Sequence, residues 1–374
     1  MSARTPAQVF PPGDFIREEM EARGWTQAEL SEVMGRPRRL VNELLSGRKA
    51  ITAETAHDLG EAFGTGPEIW MSLESAYRLS LVARESDEVA RRAKAYRYAP
   101  IADMVRRNWI RPAETVADLE EELKQFFGVA SLDDEPQLSF AARKSETYGV
   151  TTAEQRAWAF RVKHLGKAVH AARFDQATFE QGLAELRQFV THEADARRVP
   201  RLLAEIGVRL VIVEHMPRSG MDGLTLWLDD DKPVVALSVR YDRIDNFWFT
   251  LRHELSHVEH HDLESIDENL VGEKFIPTSQ KPESEQRADR ESAEFLVPAQ
   301  EIENFILRTR PLYSRTRVVQ FANRIRVHPG IIVGQLHRRG EISYANLRDL
   351  LAKVRDMITQ NALTDGWGCA PPLL

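Results

Sequence analysis

Apolar residues recur at helical spacing along most of this chain, and strand-like apolar runs are confined to one stretch in its second half. Near the N-terminus the pattern predicts four short helices. Asp14 to Ala22 is the first, with Phe15, Ile16 and Met20 apolar, and Gly24-Trp25 breaks it. Thr26 then caps a second helix, Gln27 to Met34, with Glu29 placed three residues on as in a capping box. Gly35 supplies a turn, Arg38 to Leu45 forms the third helix, Ser46-Gly47 ends it, and a fourth runs from about Thr52 to Phe63. Two short helices joined by a tight glycine turn form a helix-turn-helix.

A long, mostly helical, polar stretch follows. Ser86 to Tyr98 is basic and Ala-rich, while Ala102 to Trp109 and Ala117 to Phe127 are amphipathic. Asp133-Asp134-Glu135-Pro136 reads as a loop, and Glu154 to Ala172 and Thr178 to Ala196 read as two further helices, with Trp109, Trp158 and Phe189 as core positions. This stretch either spaces and orients the two ends of the chain or carries a dimer interface. Leu224 to Val239 is a candidate β-hairpin. Asn246 to Arg252 is strongly apolar and then polar, as in a helix buried on one side. After Pro298 helices are predicted over Glu301 to Arg308 and Arg315 to Arg326, then a Pro329-Gly330 turn, the run Ile331 to His337, and a last amphipathic helix over Leu347 to Ile358. The pattern predicts a mainly α fold with a small β-sheet (α+β). It divides into a helix-turn-helix bundle (1–84), a helical linker (85–197), a domain with the small sheet (198–310) and a C-terminal helical region (311–374).

The chemistry is concentrated in His253-Glu254-Leu255-Ser256-His257, an H-E-x-x-H motif. On a helix, positions i and i+4 share a face, so His253 and His257 can present two imidazoles to one point, which suits Zn²⁺. Glu254 is placed to take a proton from water at the metal. Downstream, Glu285 and Asp289 are again i and i+4. Glu285 is the candidate third ligand, with Glu283 its nearest competitor, and Asp289 can accept a hydrogen bond from a ligand imidazole and fix its tautomer. The metzincin pattern would need Gly at 260 and His at 263, but this chain has His260 and Leu263, so that class is excluded. The order of two His from one helix and a Glu from the next is thermolysin-like.

The run Phe249 to His257, then Glu285-x-x-Ala288-Asp289, then Phe295-Leu296-Val297-Pro298 resembles the ImmA/IrrE family of metallopeptidases. Gly207 to Ile212 and Asp222 to Leu237 are also similar to that family, over roughly 198 to 335 in all. Glu291-Ser292 stands where the family often carries Phe-Ala. The resemblance implies a thermolysin-like (gluzincin) domain with His253, His257 and Glu285 as zinc ligands and Glu254 as general base. It also implies cleavage of a partner transcriptional repressor. Tyr241, His260 and His328 are the candidate transition-state donors.

Composition sets bounds on the rest. The chain has 374 residues, 29% charged and 43% hydrophobic, with a net charge of −7. That is ordinary for a globular chain of two or three domains, and any pull on nucleic acid must come from a local patch. The single cysteine, Cys369, excludes an internal disulfide and leaves zinc to N and O ligands. The N-terminus lacks a signal-peptide core and no run is long enough to span a membrane, so a cytoplasmic protein is expected.

The local patch lies in the third helix. Arg38, Arg39 and Asn42 sit where a recognition helix meets base edges, and Gln27, Arg36, Arg48 and Lys49 are placed to meet phosphates. With Gly13, Thr26-Gln27-x-x-Leu30, Leu44 to Thr52 and Phe63-Gly64…Trp70, this segment resembles the HigA-type antitoxins of the phage-repressor (XRE) class, save for Arg36-Pro37 where a small hydroxyl cap is usual. That resemblance implies dimers that bind their own operator DNA and a small ribonuclease toxin. Arg317, Arg324, Arg326, Arg338 and Arg339 give the C-terminal region local positive charge, either as a solvated face or as a second DNA contact.

The expectation is a DNA-binding transcriptional regulator with a zinc-dependent metallopeptidase domain, binding its operator and cleaving a partner protein. The alternative is a HigA-type antitoxin and autorepressor whose protease domain is inactive or only a scaffold.

Overall fold

The computed structural model describes residues 10–81, 87–134, 136, 138, 152–262, 264–268 and 282–369. The chain divides into two compact units, Met1–Asp87 and Glu88–Leu374. Ser86 and Glu135, at the start of one expected helix and within the expected loop, lie outside the described residues.

The first unit contains α1 (Pro12–Arg23), α2 (Gln27–Val33), α3 (Arg38–Leu45), α4 (Ala53–Phe63) and α5 (Pro67–Leu81). The expected capping box starts α2: Thr26 accepts from the Glu29 backbone N–H, and Glu29 accepts from that of Thr26. Gly35 has φ +60°, a left-handed turn open to glycine, and it sets α3 against α2. Val41, Leu44 and Leu45 of α3 join Ile16, Leu30, Leu59 and Trp70 in one core. α5 was not anticipated; its Trp70 is buried and donates to Thr65 Oγ1 at 2.9 Å.

The second unit is built on a five-stranded mixed sheet of order β4-β2-β3-β1-β5. Its strands are β1 (Arg209–Val213), β2 (Met221–Trp227), β3 (Pro233–Leu237), β4 (Glu264–Glu268) and β5 (Leu363–Asp365). The expected hairpin is the antiparallel β2–β3 pair, with Thr225 opposite Val235, while β1 runs parallel to both β3 and β5. Every residue of β1, β2 and β3 is buried, because helices cover both faces.

The helices are α6 (Glu88–Tyr98), α7 (Ile101–Arg106), α8 (Val116–Phe127), α9 (Ala153–Ala168), α10 (Gln176–Phe189) and α11 (Val199–Glu205) before or between the strands. After β3 come α12 (Ile244–Glu259), α13 (Glu283–Leu296), α14 (Ala299–Thr309), α15 (Arg315–Arg324), α16 (Pro329–Arg338) and α17 (Arg355–Thr359). On one face, Val211, Val213, Leu224 and Val234 pack with Leu123, Trp158 and Leu165 from the stretch read as a linker. On the other, Leu210, Ile212 and Val235 pack with α10, α11, α12 and α16. The three segments divided as 85–197, 198–310 and 311–374 thus share one compact unit from Glu88 onward.

Three expected elements change form. Thr178 to Ala196 is not one helix: α10 stops at Phe189 and a 3₁₀ turn spans Glu193–Arg198. Pro329-Gly330 is no turn but the first turn of α16, where proline's missing N–H is harmless, and His328 Nδ1 caps it by accepting from Gly330 N–H at 3.0 Å. Leu347 to Ile358 breaks into a 3₁₀ turn and α17, because outside groups claim its backbone. Asp242 Oδ1 accepts from the N–H groups of Val354 (2.9 Å) and Arg355 (2.8 Å), and Ala352 C=O accepts from Ile244 N–H at 2.9 Å.

β5 returns the C-terminal part of the chain to the sheet and is locked by charge. Asp365 pairs with Arg161 on α9, both side chains nearly inaccessible, and accepts from Trp109 Nε1 at 3.0 Å. Removing one partner of such a buried pair strands the other's charge. Asp365→Ala should lower the unfolding free energy of the second unit by about 3–5 kcal/mol, read by chemical denaturation; a change within ordinary surface-substitution range would refute this role.

Candidate functional site

The H-E-x-x-H motif lies on α12, which is wedged between the sheet and α13. Ile244 and Asn246 to Val258 are all buried. His253, Glu254 and His257 have no accessible surface, and Glu285 on α13 is buried opposite them. Glu283, the competing carboxylate, is exposed.

The two helices bring three ligand atoms together. His253 Nε2 lies 3.1 Å from Glu285 Oε2, His257 Nε2 lies 3.3 Å from Glu285 Oε1, and the two Nε2 atoms are 3.2 Å apart. Tetrahedral zinc with bonds of about 2.0–2.1 Å requires ligand-to-ligand edges of roughly 3.3–3.4 Å. The donor set and its spacing therefore fit a metal ion, and these residues form a group able to hold one.

The far ring nitrogens are also held. His253 Nδ1 lies 3.1 Å from Asp289 Oδ1, where the sequence placed Asp289. His257 Nδ1 lies 2.8 Å from Asp262 Oδ2, and Asp262 also pairs with Arg287. Asp262 favours an Nδ1–H tautomer on His257 and leaves its Nε2 facing the common point, and Asp289 sets a carboxylate charge beside His253 Nδ1. Asp262 was missed. It reaches His257 because His261, just past the helix end, takes φ +52° and turns the chain back.

Electrostatics follow from this packing. Burial opposes charge on His257, but hydrogen bonds to Asp262 and Glu285 outweigh it and push its pKa up to about 9. Burial likewise raises the Glu285 carboxyl, but hydrogen bonds from both imidazoles outweigh it and hold it well below the usual carboxylate range. The site attracts positive charge between these three residues, whether a proton or a metal ion.

Glu254 packs against β2. Thr225 Oγ1 lies 2.6 Å from Glu254 Oε2, within the buried interior. Gly223 leaves room for the carboxylate: a Cβ there would sit 2.3 Å from Glu254 Oε1. Gly223 falls in the run Asp222 to Leu237 that carries the family resemblance, but neither it nor Thr225 carries a signature for this contact.

The three donor candidates fare differently. His328 is a helix cap and His260 Nε2 pairs with Glu291 Oε1 at 2.8 Å. Tyr241 is half-buried under the Arg240 guanidinium, 4.7 Å from its ring centre. Glu291 also accepts from Ser256 Oγ at 2.6 Å, and Ser292 is buried and donates to Ala288 C=O at 2.7 Å, so a polar contact packs α12 on α13 at the Glu291-Ser292 departure. Glu259, His260 and Glu291 also come within metal-binding reach of one another, but Arg252 lies 2.7 Å from Glu259 and 3.6 Å from Glu291 and balances that charge.

In the first unit, Arg38, Arg39, Asn42, Arg48 and Lys49 are exposed on or beside α3, and Gln27 is half-buried at the start of α2. Arg39 pairs with Glu43 at 2.8 Å along the same helix, and Arg48 Nη2 donates to Asn42 Oδ1 at 3.3 Å. Arg36 is drawn elsewhere: it pairs with Asp58 at 2.7 Å and Glu54 at 2.5 Å on α4. Both acids hold its pKa above the usual arginine value, Asp58 first.

Comparison with known proteins agrees with both units. Residues 16–70 match the helix-turn-helix family model, and residues 206–337 match the IrrE N-terminal-like domain of the M78 peptidases. The chain joins these two domains. It is 29% identical over 76 residues to the uncharacterized HTH-type transcriptional regulator YddM of Escherichia coli (strain K12), covering 20% of this chain and 81% of that protein. Among solved structures, an addiction module antidote protein of the HigA family from Coxiella burnetii is 31% identical (21% of this chain, 87% of that chain, TM-score 0.20). The Pseudomonas aeruginosa antitoxin HigA, solved with the higBA promoter, is 28% identical (20% of this chain, 82% of that chain, TM-score 0.19). The chain is a helix-turn-helix regulator with an IrrE-like domain. No described helix is long and apolar enough to cross a membrane.

Proposed function

We propose that this protein is a transcriptional regulator that binds operator DNA through its helix-turn-helix and cleaves a partner protein with its second unit, as a zinc-dependent metalloendopeptidase. The observation that carries the enzymatic half is the triangle of His253 Nε2, His257 Nε2 and Glu285 carboxylate oxygens, with edges of 3.1–3.3 Å.

Zinc bound by these three residues would supply Lewis acidity and make a water molecule acidic enough to ionise near neutral pH. The protein's own groups do the rest. Asp262 keeps Nδ1 of His257 protonated and so keeps its Nε2 lone pair available, and Asp289 sets a carboxylate charge beside His253 Nδ1. Glu254, held by Thr225, takes the proton from the attacking water and passes it to the departing amine. The buried setting of the carboxylate keeps bulk water away from that transfer.

The DNA-binding half is supported by the exposed face of α3. Arg38 and Arg39 present donors suited to guanine, Asn42 suits adenine, and Arg48 and Lys49 suit phosphates. Such modules read two half-sites about one helical turn apart, which favours a homodimer on the operator.

Two experiments test the halves separately. In zinc-loaded protein, Glu254→Gln should retain the metal while cleavage of an internally quenched peptide library falls by roughly 10²–10⁴. Retained cleavage would exclude Glu254 as the base. Loss in wild type too, with DNA binding intact, would favour the antitoxin-like scaffold reading. On DNA from upstream of its own gene, Arg38→Ala/Arg39→Ala should weaken gel-shift binding by about tenfold or more and flatten its salt dependence. Unchanged, salt-insensitive binding would count against contacts by α3.

A further inference from the structure

One carboxylate of α13 gathers three side chains from along the metal-bearing helix. Glu291 accepts from Ser256 Oγ at 2.6 Å through one oxygen, and its other oxygen lies 2.8 Å from His260 Nε2. Arg252 Nη2 stands 3.6 Å from the same carboxylate. Arg252, Ser256 and His260 follow one another at four-residue spacing, the last at the C-terminal cap of α12, so they line one side of that helix.

That side adjoins the ligand face. Ser256 immediately precedes His257, and Glu291 shares α13 with Glu285. No short turn joins the two helices, since residues 260–282 lie between them, and contacts across the interface must align them. Part of that interface is small and undirected. Ala288 and Ser292 are fully buried one turn apart on α13, and the Ser292 hydroxyl is spent on its own helix, donating to Ala288 C=O at 2.7 Å. Such residues let helices approach closely, but dispersion contacts tolerate sliding, whereas a hydrogen bond weakens steeply with distance and angle. Away from the ligand cluster, Glu291 supplies directional contacts across the pair. Burial raises its carboxyl, but hydrogen bonds with Ser256 and His260 outweigh it and hold the pKa below the usual carboxylate value. Glu291 is thus an ionised acceptor, and bonds to a charged acceptor are the stronger kind.

The ligand atoms leave little slack for a shift of one helix on the other. The edges of the triangle of His253, His257 and Glu285 measure 3.1–3.3 Å. A slide of α13 along α12 by about 1 Å would carry Glu285 beyond the tolerance of roughly 0.5 Å that such sites demand.

We propose that Glu291 is a positioning residue for the metal site: its bonds to Ser256 and His260 fix the register of α13 on α12 and so hold Glu285 at ligating distance from His253 and His257. The proposal rests on the metal reading of that triangle given above. It places part of the affinity for zinc in residues outside the ligand set.

Zinc affinity by chelator competition and the visible absorption of cobalt(II), both on the full chain, test it without turnover. Glu291→Ala leaves Arg252 paired with Glu259 at 2.7 Å, so it strands no buried charge. The variant should remain folded by circular dichroism and bind zinc roughly ten- to hundredfold more weakly. Its cobalt bands should lose intensity as Glu285 withdraws from the tetrahedral set. Ser256→Ala removes the 2.6 Å bond from the other helix and should move both readouts in the same direction. The double variant should cost less than the sum of the two, because both substitutions break one contact. Unchanged zinc affinity and cobalt bands in folded Glu291→Ala, or losses that add in full, would overturn the proposal. A wild-type chain that takes up neither zinc nor cobalt overturns the metal reading along with it, whereas wild type and variants that bind both metals equally well overturn the positioning role alone.

Discussion

Everything in the second unit turns on burying four ionisable side chains at one point. His253, Glu254 and His257 are wholly inaccessible, and Glu285 is nearly so. Ionisable groups taken from water at this depth must be matched by partners or by a metal. The fold supplies the matches from separate elements: Asp289 from α13, Asp262 from beyond the end of α12, Thr225 from β2. The glycine at 223 is the steric counterpart, since any side chain there would push Glu254 out of place. The sheet can hold α12 this firmly because its other face is also covered, by α6, α8 and α9, and because Asp365 and Arg161 fasten its last strand. A helix on a half-exposed sheet would have no such fixed floor.

What could be read in advance divides along physical lines. His253, His257, Glu285 and Asp289 were legible because helical periodicity is local: four residues of spacing place two side chains on one face whatever the rest of the chain does. Asp262 was not, because its position depends on one left-handed residue, His261, for which no glycine or asparagine gave notice. Thr225 and Gly223 were not, because the strand-to-helix contact they make is set by sheet packing. The amphipathic run Ala117 to Phe127 was legible as a helix with a buried face, but not the surface it buries against; the apolar run Leu210 to Val213 of β1, a sign of a strand covered on both sides, was the clue. Leu347 to Ile358 had helical periodicity and lost it to Asp242 and Ile244, a tertiary override of a local preference.

The first four helices of the first unit were legible, since capping box, glycine turn and helix ends are all local signals, whereas α5 was not. Its charges were harder to place. Arg36 looked like one more basic residue beside α3, but two acids of α4 hold it, so it serves to join α3's start to α4. The basic surface left facing outward is narrower and centred on α3 itself. A chain with an acidic balance overall thereby keeps a compact basic face in one unit and a buried His253, His257 and Glu285 group able to hold a cation in the other.

The central claim is that two histidines of α12 and one carboxylate of α13 hold a single zinc ion. X-ray absorption on the zinc-loaded full chain measures this directly. It should show one zinc per chain with nitrogen and oxygen neighbours at about 2.0–2.1 Å, two of them imidazoles, and no sulfur. Glu285→Ala should remove one oxygen neighbour and weaken retention of the ion. A zinc shell without imidazole scattering, or one unaltered by that substitution, would contradict the account.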